Sequence, residues 1–282
     1  MQIYNISSKN SAFPDVFREL EKPPKSINIL GELPKDTKMV AIVGTRNSTP
    51  YGERVAYQLA SELAKAGAVI VSGLAIGIDG MAHLGAVEAG GRTIAIVAHG
   101  LDKVYPARHR GLARDILAGG GALISEYDVG TPPEPFRFPE RNRLIGALAD
   151  ITVVVESAVQ GGALITARDA LKIGRQVMAV PGNITSQFSV GPNNLIHEGA
   201  APVRSATDVI NALGFIAHEA TPVPARSPQE AQLLELLGEG TGTTEDLIER
   251  SGLSAAQFAN IISLMEITGK VRNLGAGQWV RR

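Results

Sequence analysis

The stretch that decides the fold is KMVAIVGTRNSTPYGERVAYQLASELAKAGAVIVSG, residues 38–73. Near its two ends, Met39–Val43 and Ala68–Val71 are continuous apolar runs rich in β-branched residues. That is the pattern of strands buried on both faces of a parallel sheet. Between them Val55, Leu59 and Leu63 recur every fourth residue and give a helix one apolar stripe, which Gly67 ends. Pro50 suits the first helical position, with Thr49 as the cap. Strand, helix and strand in sequence make a β-α-β unit.

Working outward, the same alternation continues through Thr93–Val97, Ala122–Ile124, Ile151–Val155 and Val177–Val180. Further helices are expected after Asp79 and over Ala163–Ile173. The class is therefore α/β: an extended Rossmann-like, mostly parallel sheet over residues 38–214 with helices on both faces. Any site belongs at the carboxyl ends of its strands. Residues 1–37, with Pro14, Pro23, Pro24 and Pro34, read as a lead segment packing on that core, too turn-rich for a long helix. Residues 215–228 (FIAHEATPVPARSP) read as a linker. Residues 229–282 then offer helices at Gln229–Leu237, Thr244–Arg250 and Ala255–Thr268, and a hairpin of Val271–Leu274 with Gln278–Val280. Three helices and a hairpin make a small C-terminal winged-helix domain.

Composition narrows the function. In 282 residues, 44% are hydrophobic and 20% charged, which excludes a disordered or collagenous chain. The absence of cysteine removes disulfides, thiolate zinc sites and Cys nucleophiles, and suits a reducing, cytoplasmic compartment. The first residues lack a basic region followed by an apolar one, so no secretory leader is expected. No apolar run reaches the ~18 residues of a membrane span, so no membrane partner is expected either. The balance of 27 basic against 28 acidic residues, net −1, argues by itself against a nucleic-acid binder. Residues 38–214 carry sixteen basic against fifteen acidic, so charge placement has to decide.

Placement is informative. The first strand runs into Gly44-Thr45-Arg46-Asn47-Ser48-Thr49-Pro50, where a free backbone, hydroxyls, one Arg and a helix N-terminus form an anion site. The second runs into Ser72-Gly73-Leu74-Ala75-Ile76-Gly77-Ile78-Asp79-Gly80, whose glycines allow close backbone approach and whose Asp79 reads as a helix cap. Gly161, Gly162 and Thr166 make another anion-cradling turn after a strand, and Pro181-Gly182-Asn183 reads as a simple turn. The densest stretch is Phe136-Arg137-Phe138-Pro139-Glu140-Arg141-Asn142-Arg143. Guanidinium groups for phosphates and rings for bases are what single-stranded nucleic acid requires. Read as strand or loop, it would put Arg141 and Arg143 on one face.

Other chemistries lack their motifs. There is no G-x-G-x-x-G dinucleotide fingerprint, no G-x-x-x-x-G-K-[ST] and no G-x-S-x-G. His83, His99, His109, His197 and His218 show no metal-ligand spacing, and His83 reads as a packed or locally bonded side chain. Several phosphate-type turns without an acid/base set favour binding over catalysis, and no cofactor is expected.

Gly44-Thr45-Arg46, Ser72-Gly73-x-Ala75-x-Gly77-Ile78-Asp79, Phe138-Pro139-x-Arg141-Asn142-Arg143-x-Ile145, Gly161-Gly162-Ala163-Leu164-Ile165-Thr166 and Pro181-Gly182, in this order and spacing, resemble the DNA-processing protein A (DprA/Smf) family. The resemblance covers about residues 13–214. It implies an extended Rossmann fold without enzymatic turnover that binds single-stranded DNA, protects it, and helps load the RecA recombinase in natural transformation. It also implies a homodimer formed through the late part of that fold, which here includes Leu195 and Ile196. By this likeness Arg46 holds a DNA phosphate. Gly44, Thr45, Ser72, Gly73, Gly77, Arg137, Phe138, Arg141, Asn142, Arg143, Gly161, Gly162 and Thr166 would share its pocket. Many members carry a basic residue close to where Pro135 and Arg137 stand here.

Two rival classes have distinct signatures. A nucleotide-processing phosphoribohydrolase of the LOG type needs a Glu shortly after the Gly-Gly-Thr turn, where this chain has Arg168 and Asp169. A transcription regulator would read duplex with the third helix of the winged domain, yet that helix contains no Lys or Arg. The winged domain is therefore expected to dock protein or its own partner domain.

Overall fold

The structure is a computed structural model and describes residues 2–34, 37–214, 225, 227–238, 242–268, 270–275 and 277–281. It divides into two compact units, Met1–Ala217 and His218–Arg282. Most of the expected linker lies outside the described residues.

In the first unit the order is β1 (Tyr4–Ser7), α1 (Asp15–Arg18), β2 (Ser26–Gly31), β3 (Met39–Val43), α2 (Pro50–Lys65), β4 (Val69–Ser72), α3 (Ile78–Glu88) and β5 (Thr93–Ile96). Then come α4 (Arg110–Ala118), β6 (Ala122–Ser125), α5 (Arg137–Leu148), β7 (Ile151–Val154), α6 (Gly162–Lys172), β8 (Gln176–Ala179), α7 (Val190–His197), β9 (Ala201–Pro202) and α8 (Ala206–Ala212). The nine strands form one sheet in the order β1-β2-β6-β5-β4-β3-β7-β8-β9. All pairings from β6 to β9 are parallel, whereas β2 joins β6 and β1 joins β2 antiparallel.

Alternation along the buried strands fills two layers. Ala41, Val43, Val71, Ile94, Ile124 and Val154 face one way, against Phe13, Phe17, Leu144, Leu148, Ala163 and Leu195. Val40, Ile42, Ile70, Val153 and Met178 face the other way, against Leu59, Leu63, Ile78, Ala82 and Val209. Each face is thus closed by helices, as a mainly parallel sheet requires. Thr49 caps α2, its hydroxyl accepting from the Gly52 N–H at 3.1 Å.

Residues before the first parallel strand do more than pack on the core. The prolines keep α1 to four residues, but β1 and β2 extend the sheet itself. Buried Asn28 ties this edge: its Nδ2 donates to the Tyr127 carbonyl (3.0 Å) and its Oδ1 accepts from Asn5 (2.9 Å).

The second unit contains α9 (Pro228–Gly238), β10 (Gly242–Thr243), α10 (Thr244–Ser251), α11 (Ala255–Ile267), β11 (Val271–Gly275) and β12 (Gln278–Arg281). Its strands pair in the order β10-β12-β11, a winged-helix arrangement. Gly252 ends α10 in the left-handed region (φ 66°), and a Ser254–Gln257 capping box starts α11. Leu233, Leu237, Leu247, Phe258, Ile262, Met265 and Trp279 make its core. A buried Lys270–Glu230 ion pair (2.7 Å) lies in the same unit. Among the described residues no helix is long and apolar enough to cross a membrane.

Candidate nucleic-acid interface

The strand order reverses its direction of growth at β3. From there β4, β5 and β6 add on one side and β7, β8 and β9 on the other. Loops leaving the carboxyl ends of β3 and β7 therefore diverge and open a crevice. A cavity of about 400 Å³ occupies it, lined by Gly44, Thr45 and Arg46 after β3 and by Ala158, Gly161, Gly162, Ala163 and Thr166 after β7. Ala75 and Asp79 line it from the β4–α3 segment, and Pro135, Phe138, Pro139, Arg141, Asn142 and Ile145 from α5 and its approach.

The two helix N-termini at this edge differ. That of α2 is already occupied by an anion of the chain itself. Glu156, buried just beyond β7, accepts from the Thr49 N–H (2.9 Å) and the Thr49 hydroxyl (2.5 Å). Gly52 is required there, because a Cβ would run into the Glu156 carboxylate. The Gly44–Pro50 turn thus offers a ligand Arg46 rather than the helix end. At α6, by contrast, no side chain caps the Gly161 position, and Gly161–Ala163 open on the cavity.

Arg46 is exposed and makes no ion pair among the described residues. Its guanidinium stands 4.4 Å from the centroid of the Phe138 ring. Arg141 stands 6.0 Å from the same ring but is only 2% exposed. Its Nη1 donates to the carbonyls of Gly73 (2.8 Å) and Ile96, and its Nε to Asn142 Oδ1 (3.2 Å). Burial draws the Arg141 guanidinium down to about 10, against the pull of Asp79 and with the repulsion of Arg46. It stays charged at neutral pH and contributes a fixed positive field.

Asp79 is not the helix cap that its position suggests; Gly77 occupies the cap. The carboxylate turns back and accepts from the Gly73 N–H at 3.1 Å. Burial raises the Asp79 carboxyl, opposed by Arg141 and by the Gly73 and Ala75 amides. Gly73 is wedged between these charges: a Cβ would lie 2.6 Å from Arg141 Nη2 and 2.7 Å from Asp79 Oδ2. Gly77 (φ +80°) lies so close to the next loop that a Cβ would stand 2.5 Å from the Thr45 carbonyl oxygen. Ser72 is fully buried and donates to the Ile42 carbonyl (2.7 Å). Ser72, Gly73 and Gly77 accordingly support the cavity wall and do not line it.

The same wall holds a strained residue. Leu74 has φ +57°, unusual for a branched side chain. Two histidines fix it. The Leu74 N–H donates to His83 Nε2 (3.3 Å), and the Leu74 carbonyl lies 2.9 Å from His109 Nδ1. His83 Nδ1 must then carry the proton and donate to Thr93 Oγ1 (2.7 Å), whose hydroxyl donates to Ile70 O (2.7 Å). Burial foremost, with His109 and Arg141, lowers His83 to about 3 and keeps it neutral.

The expectation that Arg141 and Arg143 share a face is overturned. Residues 137–148 are helical, and at about 100° per residue two positions apart means opposite sides. Arg141 turns into the cavity wall, while Arg143 turns away to a two-pronged bond with Glu126 (3.0 and 2.6 Å) and to the Lys22 carbonyl (3.1 Å). Arg137 is likewise committed elsewhere, bonding the Pro132 carbonyl, pairing with Glu134 at 3.5 Å and lying over the rings of Tyr127 and Phe136. Leu195 is buried in the core of its own chain, and Ile196 is half-buried beside it. Asp79, Ala75 and Ile145 line the cavity although the sequence did not mark them as site residues.

Fold and site together define a doubly wound α/β protein with a winged-helix unit and a small cationic, aromatic-rimmed pocket at its switch point. The sequence profile of the DNA recombination-mediator protein A family matches residues 5–214, and that of the DprA winged helix domain matches residues 217–277. The chain belongs to this DNA-processing (DprA/Smf) family. It is 40% identical over 258 residues to a putative DNA processing protein DprA of Mycobacterium tuberculosis, covering 86% of this chain but 66% of that one. It is 36% identical over 283 residues to the protein Smf of Escherichia coli, covering 96% of this chain and 76% of its relative. Among solved structures it resembles DNA processing protein A of Helicobacter pylori, described for its single-stranded DNA binding mode (TM-score 0.67, 34% identity, 76% of this chain and 96% of that one).

Proposed function

We propose that this chain binds single-stranded DNA in the switch-point pocket, without chemical turnover, and helps to load the RecA recombinase on the strand it protects in natural transformation. The carrying observation is the pairing of an uncommitted Arg46 with the Phe138 ring at 4.4 Å, beside the open α6 N-terminus. A guanidinium and amides for phosphate, with a ring for a base, suit a single strand, and a pocket of about 400 Å³ is too small for a duplex. The family membership and the H. pylori relative support the same reading. Action in the cytoplasm and as a homodimer through the surface near Ile196 belongs to this proposal; buried Leu195 would then shape that surface from beneath.

The phosphoribohydrolase reading loses its acid/base group. Asp169 pairs with Lys172 at 3.1 Å and lines a different cavity, between the Glu19–Ser26 segment and α5. Nor does α11 support duplex readout, since its exposed positions include Ala256, Asn260, Ser263 and Leu264.

The test is titration of labelled single-stranded and duplex oligonucleotides across salt, with wild type and Arg46→Ala. Single strands should bind more tightly. Arg46→Ala should weaken them by about tenfold or more, as expected for a lost charge-assisted contact, and flatten the salt slope by about 0.7. Equal affinity for duplex, or an unchanged Arg46→Ala, would overturn the reading.

A further inference from the structure

The segment that joins β5 to α4 runs beside the pocket and carries charge that the pocket does not use. Over residues 103–110 it reads KVYPARHR, with Lys103, Arg108 and Arg110 and no acidic residue. All three cations are exposed, and none makes an ion pair among the described residues. The nearby carboxylates are engaged elsewhere. Asp102 accepts from the Gly130 N–H (2.7 Å). Glu53 and Asp115 line a cavity together with Arg108, yet Glu53 accepts from the Ser48 hydroxyl (2.8 Å) and Asp115 lies 3.8 Å from Arg114.

Two contacts tie this segment to the pocket. His109 Nδ1 lies 2.9 Å from the Leu74 carbonyl in the pocket wall. The Tyr105 ring meets the Phe138 ring, their centroids 5.9 Å apart and their planes at 51°. Buried His99 also meets Tyr105, at 6.5 Å and 79°. The ring is therefore held in place, yet Tyr105 is 48% exposed. A single exposed ring is ordinary surface. This one continues the ring beside which Arg46 stands, and two uncommitted arginines follow it within five residues. A ring already held loses little freedom when a base stacks on it, and stacking accepts any base. Tyr105 with Arg108 and Arg110 thus repeats the pairing of Phe138 with Arg46.

We propose that the single strand leaves the switch-point pocket over Tyr105, which stacks the base next to the one at Phe138, and that Arg108 and Arg110 hold the phosphates that follow. The proposal rests on the single-strand reading given above and extends its footprint onto the β5–α4 segment. The strand then follows the carboxyl edge of the sheet from β3 past β4 to β5, which are neighbours in that order.

The test is fluorescence anisotropy of the full chain with labelled oligo(dT) across salt, for wild type, Tyr105→Ala, Tyr105→Phe, the double variant Arg108→Ala with Arg110→Ala, and Arg46→Ala. Tyr105→Ala should weaken binding about tenfold, whereas Tyr105→Phe, which keeps the ring, should stay within about twofold of wild type. The double variant should flatten the salt slope by about 1.4, the share of two phosphates on a single strand. Tyr105→Trp separates stacking from support of Phe138. A base stacked on the new indole should quench its emission on DNA binding, beyond any change of Trp279 seen in wild type. Tyr105→Ala weakened without that added quenching overturns the stacking and leaves Tyr105 a support for Phe138. Tyr105→Ala and the double variant at wild-type affinity and slope, with Arg46→Ala weakened, overturn the path and leave the pocket standing. Arg46→Ala at wild-type affinity overturns the pocket reading and the path that starts from it.

Discussion

The carboxyl edge of the sheet and the third helix of the winged unit are both frames on which nucleic-acid contacts are built, yet they present opposite chemistry. At the sheet edge Arg46 is exposed and unpaired, Phe138 lies beneath it, and buried Arg141 adds charge from behind. On α11 there is no cation at all, and Leu264 is 59% exposed. The basic side chains described in the winged unit sit elsewhere: Lys270 is buried against Glu230, Arg250 pairs with Asp246 at 3.7 Å, and Arg272 and Arg281 lie exposed on the hairpin strands. A fold known for DNA binding therefore does not by itself locate a binding site, and the site proposed above rests on uncommitted charge beside an accessible ring.

After Arg46, the largest expected effect is at Phe138. Phe138→Ala removes both the ring and the platform on which Arg46 rests, and should cost about 1–3 kcal/mol of single-strand affinity. A loss of that size from a change on α11 instead, such as Leu264→Ala, would invert the comparison.

A second effect concerns stability of the wall behind the pocket. His83 has a folded pKa of about 3 against an ordinary value of 6.5, so between these values the unfolded chain binds the extra proton. Its contribution is complete above about pH 6.5 and falls as pH drops toward 3, by up to about 1.4 kcal/mol per unit. Urea unfolding followed from pH 7 to pH 5 should show this slope in wild type and a shallower one in His83→Gln. Identical slopes would mean that the buried imidazole does not govern the wall.

The smallest effects separate committed from uncommitted arginines. Arg143→Ala breaks the bond to Glu126, and Arg272→Ala alters the hairpin of the winged unit. Each should change single-strand affinity by no more than about threefold, the scale of a single screened surface charge. A loss at Arg143 equal to that at Arg46 would show that the pocket extends around α5.

Much of the sheet was legible in the sequence because continuous β-branched runs mark strands buried on both faces, and Met39–Val43 is found at its expected bounds. The strand Ser26–Gly31 was hidden: Pro23, Pro24 and Lys25 precede it, and its buried Asn28 is satisfied by residues distant in the chain. The helix Arg137–Leu148 was hidden by Pro139, which reads as a breaker but is tolerated in a first turn where no N–H is needed. That one misreading put Arg143 on the same face as Arg141. The turns around Gly44 and Gly161 were legible because each follows a strand directly. The Glu156 carboxylate that takes the α2 N-terminus was not, since Thr49 and Glu156 are 107 residues apart. For the same reason Asp79 passed for a cap: its real partners, Gly73 and Arg141, become neighbours only when the β4–α3 loop folds against α5.

In the proposed function the DNA strand lies at the sheet edge and not on the winged unit. Amide hydrogen exchange of the full chain, with and without a single-stranded oligonucleotide, tests it most directly. Slowed exchange is expected at residues 44–46, 138–145 and 161–166, with unchanged exchange over 255–281. Protection confined to 255–281, with none around Arg46, would contradict it.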